Sequence, residues 1–163
     1  MKTLLILRHA KSSWKKPGLT DYDRPLNKRG KLDAPRMGEL IREKALVPDL
    51  IISSSAKRAC QTADRVAQAC GYQNEVRFED DLYLAYPDVI IRILRFLPDE
   101  LNSVMVVGHN PGVEELLRLS TGREEVMPTA ALANIILPIR HWSEMNSRAT
   151  GELVHLWRPK ELA

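Results

Sequence analysis

The sequence predicts an α/β protein, a three-layer sandwich with a mainly parallel central sheet flanked by helices. Short runs of consecutive apolar residues, such as 4–7 and 104–107, are typical of strands buried on both faces, as in parallel sheets. Between these runs lie segments with helical patterns, so strands and helices alternate along the chain. The last two strand-like runs have no clear helix between them, which favours an antiparallel pair there.

The predicted elements follow in this order along the chain. We predict strands near residues 2–8, 49–53, 75–79, 103–108, 132–138 and 152–157. We predict helices within 28–44 and near 56–70, 87–97 and 111–120. Asn27 can cap the first helix, and Pro35 either kinks that helix or marks its true start.

The composition restricts the class of protein. The chain has 163 residues, enough for one domain with a substantial core, and we expect residues 1–163 to form that domain. The net charge of +3 is too small to argue for a nucleic-acid partner, and no apolar run approaches the length of a membrane span. Because Met1 leads directly into a strand, we expect a cytoplasmic protein. The oligomeric state is left open.

The two cysteines, Cys60 and Cys70, fall in one predicted helix. About ten residues of helix separate them by roughly 15 Å, which is too far for a disulfide. No paired Cys/His spacing indicates zinc. We therefore expect packing roles for both cysteines, and neither a metal ion nor a cofactor.

Cationic and imidazole side chains follow three of the predicted strands. Arg8 and His9 follow the first strand, Arg58 comes soon after the second, and His109 follows the strand near 103–108. The carboxyl ends of parallel strands share one edge of the sheet, where ligands bind in α/β proteins. We therefore expect these four residues to surround one point. Two fixed cations and two imidazoles are suited to a phosphoryl group.

Each of these residues also has an ordinary structural interpretation. His9 at a strand end can simply hydrogen-bond to a loop carbonyl. Lys57 and Arg58 lie in the first turn of a helix that Ser54 or Ser55 is expected to cap, where a cation usually costs about 0.3–1 kcal/mol. A bound anion would explain that conflict, and a solvated cation at a frayed helix end is the alternative. On this argument, removing Arg58 would slightly stabilise the empty fold.

The segment from Gly108 to Gly112 places His109 directly before a predicted helix. Asn110 is a favourable N-cap and Pro111 suits the first helical position, so free backbone N–H groups and the imidazole would face the same space. Asn110 is therefore predicted to contact the substrate. The alternative is a plain Asn-Pro-Gly turn.

The polar loop before the first helix supplies one more candidate cation, Arg24. Pro25 beside it restricts the chain and limits the positions that Arg24 can reach. The carboxylates of Asp21 and Asp23 can instead pair with it. Arg24 is thus either a phosphate-binding residue or a member of a loop salt bridge.

Taken in order, these motifs resemble those of the histidine phosphatase superfamily, also called phosphoglycerate mutase-like. The Arg-His opening, the Ser-Ser…Arg…Gln-Thr-Ala segment and the later Gly-His match in order and in strand context. Arg-His-Ala, Asp-Arg-Pro-Leu-Asn-Lys-Arg-Gly and Val-Gly-His-Asn-Pro-Gly resemble the small SixA-type phosphohistidine phosphatases. The resemblance covers essentially the whole chain and implies a phosphoglycerate mutase-like fold.

The resemblance also implies roles for the candidate residues. His9 would be the nucleophile that takes the phosphoryl group as a phosphohistidine. Arg8 and Arg58 would bind the phosphoryl oxygens. His109 would complete the pocket, and Arg24 would support it. Arginines supply permanent charge for phosphoryl transfer and a neutral imidazole supplies the nucleophile, so the chemistry implies no metal ion.

One departure from the family concerns the general acid. Many members of the superfamily carry a Glu or Asp acid on a loop after the middle of the chain. The corresponding stretch here begins Glu79-Asp80-Asp81 and lacks the usual glutamate pattern. Asp80 or Asp81 can serve, although carboxylates before a helix are more often solvated.

The sequence therefore predicts a metal-independent phosphatase that acts through phospho-His9 on phosphohistidine in proteins. Its partner would be a phosphohistidine-bearing protein or another phosphorylated substrate. The alternatives are a phosphomonoesterase of a small metabolite, a mutase, and a non-catalytic phosphoprotein-binding module. The short chain disfavours the mutase, which needs cap insertions. The presence of both His9 and His109 argues against the binding module, which needs only the arginines.

Overall fold

A computed structural model describes residues 1–148 and 150–162 of the chain. Its strands are β1 (Lys2–Arg8), β2 (Leu50–Ser54), β3 (Arg77–Glu79), β4 (Ser103–Gly108), β5 (Leu132–Leu137) and β6 (Glu152–Trp157). They form one six-stranded sheet in the order β3-β2-β4-β1-β5-β6. β1 to β4 are mutually parallel, whereas β5 runs antiparallel to both β1 and β6. The predicted mainly parallel sheet, with an antiparallel pair at its end, is confirmed.

Helices cover both faces of this sheet. They are α1 (Lys28–Glu43), α2 (Lys57–Cys70), α3 (Pro87–Arg95) and α4 (Gly112–Thr121). Successive strand residues point to opposite faces, so Leu4 and Ile6 of β1 join the core that includes α3 and α4. Leu5 and Leu7 join the core that includes α1 and α2. The three-layer α/β sandwich is therefore confirmed, and it explains why β1 is apolar without alternation.

The start of α1 agrees with the predicted cap. The side chain of Asn27 accepts a hydrogen bond from the backbone N–H of Gly30 at 2.9 Å. The helix continues through Pro35, so Pro35 does not mark its start. A Cβ atom at position 30 would collide with the carbonyl oxygen of Lys11. Glycine therefore allows the first turn of α1 to lie directly on the loop after β1.

The predicted cap of α2 is wrong. The N-cap is Ala56, which has no side chain able to cap, rather than Ser54 or Ser55. The Ser54 hydroxyl accepts from the backbone N–H of Ala56 at 3.2 Å, one residue before the helix. Because Ser54 is the last residue of β2, its side chain is held at the sheet edge and not at the helix.

The predicted cap of α4 is also wrong. Pro111 is the N-cap and Gly112 is the first helical residue, so Asn110 lies outside the helix. The side-chain amide of Asn110 donates instead to the carboxylate of Glu114 at 2.8 Å and to the carbonyl of Met127 at 3.0 Å. These two contacts turn Asn110 away from the capping geometry.

The remaining expectations about the fold concern cysteines and membranes. Cys60 and Cys70 both lie in α2 as free thiols. Over the part of the chain that the structure describes, we find no helix with the length and apolarity needed to span a bilayer.

Candidate active site

The sheet order brings the predicted site residues together. β4 lies between β1 and β2, with Arg8 opposite Gly108 and Ser53 opposite Val107, so the carboxyl ends of the three strands are level. A cavity of about 310 Å³ opens at these ends, and we call it the reaction cavity. Its walls include the six predicted residues and five others: Arg8, His9, Arg24, Arg58, His109, Asn110, Lys11, Ser12, Trp14, Leu84 and Thr129.

His9 is held in one tautomer. Its Nδ1 lies 2.8 Å from the carbonyl oxygen of Ala10. A carbonyl only accepts hydrogen bonds, so Nδ1 carries the proton and Nε2 keeps its lone pair. The loop-carbonyl contact that seemed an ordinary alternative is thus present, and it leaves Nε2 able to act as a nucleophile.

The backbone beside His9 is tied to α2 through a buried threonine. The N–H of Ala10 donates to the hydroxyl of Thr62 at 3.0 Å. That hydroxyl donates in turn to the carbonyl of Arg58 at 2.7 Å. The two contacts fix the position of His9 relative to the helix that carries Arg58. Thr62 appeared in the sequence only as part of a motif, and its role needed the structure.

His109 lies beside His9, with the two ring centroids 5.1 Å apart. Its Nδ1 lies 3.4 Å from a guanidinium nitrogen of Arg58, which can only donate. Nδ1 therefore accepts, and Nε2 donates to the hydroxyl of Ser54 at 2.8 Å. Ser54, expected as a helix cap, instead orients the second imidazole.

Both imidazoles are neutral near pH 7. Burial and, to a smaller extent, the nearby arginines Arg58, Arg8 and Arg24 outweigh the effect of the Ala10 carbonyl and lower the pKa of His9 to about 4. Burial, the neighbouring His9 and Arg58 lower the pKa of His109 to about 3. A neutral His9 is the form that can attack phosphorus.

These pKa values predict that the fold loses stability in weak acid. Below an ordinary pKa of 6.5, the unfolded chain takes up protons that folded His9 and His109 do not bind until about pH 4 and 3. The free energy of unfolding should therefore decrease as the pH is lowered below about 6.5, by up to about 1.4 kcal/mol per pH unit for each imidazole. Urea unfolding at about pH 6.5, 5.5 and 4.5 measures this slope.

The variant His109→Gln removes one of the two titrating groups and keeps a donor for Ser54. We expect a shallower decrease in its unfolding free energy over the same pH range. An unchanged slope would show that His109 does not titrate differently in the folded and unfolded states.

Arg58 is buried, with 3% of its surface exposed, so it is not a solvated cation at a frayed end. It donates to the backbone carbonyl of Asp21 at 2.6 Å and to the carboxylate of Asp21 at 3.0 Å. Lys57, its neighbour in the first turn of α2, is exposed. The negative charge of Asp21 thus offsets the repulsion between Arg58 and the positive N-terminal end of α2.

Asp21 links three groups behind the reaction cavity. Besides Arg58, its carboxylate pairs with Arg24 at 3.0 Å and accepts from the hydroxyl of Tyr83 at 2.5 Å. Burial pushes its pKa upward, but the hydrogen bonds from Tyr83, Arg58 and Arg24 outweigh burial and bring the pKa to about 2. The sequence indicated only the pairing with Arg24. No sequence signal pointed to Tyr83.

Arg24 forms the predicted loop salt bridge, whereas its phosphate-binding role stays a prediction. It lines the reaction cavity and also pairs with Asp21. A further donor reaches the hydroxyl of Ser12 at 2.7 Å, and the guanidinium lies 3.5 Å from the centre of the Trp14 ring. Most donors of Arg24 are therefore already engaged, which suits a supporting role.

Arg8 and Asn110 also line the reaction cavity, and both contact one backbone group. Both donate to the carbonyl of Met127, at 3.1 Å and 3.0 Å. The Nε of Arg8 and the Oδ1 of Asn110 are buried and have no hydrogen-bond partner among the described residues. The free N–H of Arg8 can donate to an oxyanion in the cavity, whereas the Oδ1 of Asn110 only accepts hydrogen bonds and cannot contact one.

No carboxylate lines the reaction cavity in the described chain. Asp80 and Asp81 are exposed and lie outside its wall. The same loop presents Leu84 instead, in a left-handed backbone conformation with φ of 51°. Over the described residues, no group of three or more His, Cys, Asp and Glu has the arrangement of a metal site.

Comparison with known proteins agrees with this geometry. The model of the histidine phosphatase superfamily (branch 1) matches residues 4–83. An uncharacterized chloroplastic protein of Arabidopsis thaliana is 31% identical over 152 residues, covering 88% of this chain and 70% of that protein. A SixA structure from Agrobacterium tumefaciens aligns with a TM-score of 0.83 and 29% identity, covering 97% of this chain and 98% of that one. A SixA structure from Nakamurella multipartitia has a TM-score of 0.82 and 28% identity, covering 99% and 97%.

The fold, together with a histidine at a strand end surrounded by arginines, is that of a phosphatase with histidine-based catalysis. The chain belongs to the histidine phosphatase superfamily, and within it to the SixA type.

Proposed function

We propose that this protein is a metal-independent phosphohistidine phosphatase that acts on phosphorylated proteins through a phosphoryl intermediate on His9. The observation that carries the proposal is the wall of the reaction cavity. It combines a neutral histidine and several cations with no carboxylate among the described residues. The likeness to the SixA structures from Agrobacterium tumefaciens and Nakamurella multipartitia supports the same substrate class.

The proposed reaction has two steps. In the first, Nε2 of His9 attacks phosphorus, the bond from phosphorus to His9 forms, and the bond from phosphorus to the substrate nitrogen breaks. In the second, water attacks phospho-His9 and releases inorganic phosphate. Arg8 and Arg58 hold the phosphoryl oxygens in both steps, since charge around the equatorial oxygens is the main requirement of phosphoryl transfer. Arg24 and His109 support and complete this arrangement.

Because no carboxylate lines the reaction cavity among the described residues, the proposed enzyme requires a substrate whose leaving group departs without a general acid. An alkyl phosphate expels a poorly stabilised alkoxide unless an acid protonates it, and a well-placed acid contributes about 10²–10⁴-fold. A phosphohistidine protonated on its other nitrogen leaves as neutral imidazole, whose conjugate acid has a pKa of roughly 6.5. Such a leaving group needs no acid on the cavity wall, where this chain places Leu84.

The substrate prediction is tested by comparing phosphohistidine proteins with a panel of alkyl phosphates. We expect faster turnover of phosphohistidine. We also expect Asp80→Asn and Asp81→Asn to change it less than about 3-fold, because both carboxylates are exposed and outside the cavity wall. Efficient hydrolysis of an alkyl phosphate that collapses in either variant would favour a small-molecule phosphomonoesterase instead.

Removal of metal ions should leave the activity intact. Arginines and imidazoles supply the positive charge and the nucleophile, so no step requires a Lewis acid. Dialysis against a strong chelator, followed by a phosphohistidine assay, measures this directly. Loss of activity that one divalent ion restores would contradict the mechanism and indicate a metallophosphatase.

A further inference from the structure

A second cavity, of about 490 Å³, adjoins the reaction cavity. We call it the basic groove and define it by Arg8, Lys11, Arg29, Asp33, Thr129 and Lys160. Arg8, Lys11 and Thr129 line both cavities. The Nε of Arg8, buried without a hydrogen-bond partner in the described chain, therefore belongs to a side chain that both spaces share.

The groove carries an excess of positive charge. Its one carboxylate, Asp33, is 4% exposed and is paired with Arg29 at 3.1 Å and with Arg36 at 3.5 Å. Two arginines thus compensate a single carboxylate. Lys11 and Lys160 are exposed and make no ion pair within the described residues.

Packing of two segments against α1 positions these lysines. The absence of a side chain at Gly30 lets the first turn of α1 lie on the backbone of Lys11. On the other side, Arg36 donates to the backbone carbonyl of Leu162 at 2.8 Å, and Pro159 is buried. The short 3₁₀ helix Pro159–Glu161, which carries Lys160, is therefore held against α1, and Lys160 lines the groove.

We propose that the basic groove binds an acidic side chain of the protein substrate while the phosphohistidine occupies the reaction cavity. The uncompensated lysines favour a carboxylate, and the shared Arg8 connects the two spaces. This inference rests on the proposed function and adds to it a preference for acidic sequence near the phosphohistidine.

The test uses Lys160→Gln, which removes one uncompensated charge from the groove and none from the reaction cavity. The matched control is Lys44→Gln, which removes one exposed lysine charge at the other end of α1. Substrates are a phosphohistidine peptide with neighbouring Glu residues, the same peptide with Gln in their place, a small bisphosphorylated ester, and N-phosphoimidazole. The last reports on the reaction cavity alone.

For the acidic peptide, we expect the groove variant to raise KM by roughly 3-fold with kcat unchanged, as for the loss of one exposed ion pair. The groove variant should hydrolyse the Gln peptide and N-phosphoimidazole at the wild-type rate. The control variant should hydrolyse all four substrates at the wild-type rate. An unchanged KM for the acidic peptide would overturn the inference, as would an effect confined to the bisphosphorylated ester. Failure of the wild type to hydrolyse any phosphoramidate would instead refute the proposed function.

Discussion

Replacing His9 with alanine is expected to reduce phosphohistidine hydrolysis to the background rate and to abolish phosphoryl labelling of the protein. The variant lacks the nitrogen that forms the intermediate, and no step of the proposed reaction proceeds without it. Incubation with a ³²P-labelled phosphohistidine substrate, followed by rapid quenching, measures the label. The bound label should be acid-labile, as a phosphorus–nitrogen bond is.

The structure offers a matched control in His155, an exposed histidine of β6 that stacks on Trp157 with ring centroids 4.4 Å apart. His155→Ala should retain both turnover and labelling. Labelling of His9→Ala at the wild-type level would exclude His9 as the nucleophile. Absence of labelling in the wild type, together with tight phosphoprotein binding, would favour the binding module over the enzyme.

The variant Arg58→Ala is expected to lower kcat/KM by about two orders of magnitude or more. Loss of one contact to the charge of the transition state costs about 3 kcal/mol in comparable oxyanion sites.

The same variant should also lose stability, which is the opposite of the effect expected from the helix dipole alone. Arg58 is buried and pairs with Asp21, so removing Arg58 leaves that carboxylate with fewer partners. We therefore expect Arg58→Ala to be less stable than the wild type in urea unfolding.

Lys57→Ala is the control for this prediction, because Lys57 occupies the same helical turn but is exposed and outside the cavity wall. Its activity should stay near the wild-type level, and relief of the dipole conflict should stabilise it by about 0.3–1 kcal/mol. Near-normal activity of Arg58→Ala would remove Arg58 from the site. An equal loss of activity in Arg58→Ala and Lys57→Ala would indicate a general electrostatic effect.

The class of fold, and the meeting of His9, Arg58 and His109 at one edge of the sheet, could be predicted from the amino-acid sequence. Consecutive apolar residues in β1 and β4 identified strands buried on both faces, and helices between the strands implied parallel crossovers. Because parallel strands share one carboxyl edge, the residues that follow them had to meet there. This explains why His9, Arg58 and His109 were predictable although they are far apart along the chain.

The groups that orient these residues could not be predicted from the sequence and became evident in the folded protein. Ser54 and Asn110 have favourable capping chemistry, but their positions at a strand end and beside Glu114 give them other partners. Asp21 reaches Arg58 and Tyr83 through contacts between residues distant in sequence. Local propensity describes a residue and its near neighbours, whereas the charge balance of a buried site depends on which distant groups the packed layers bring within hydrogen-bonding distance.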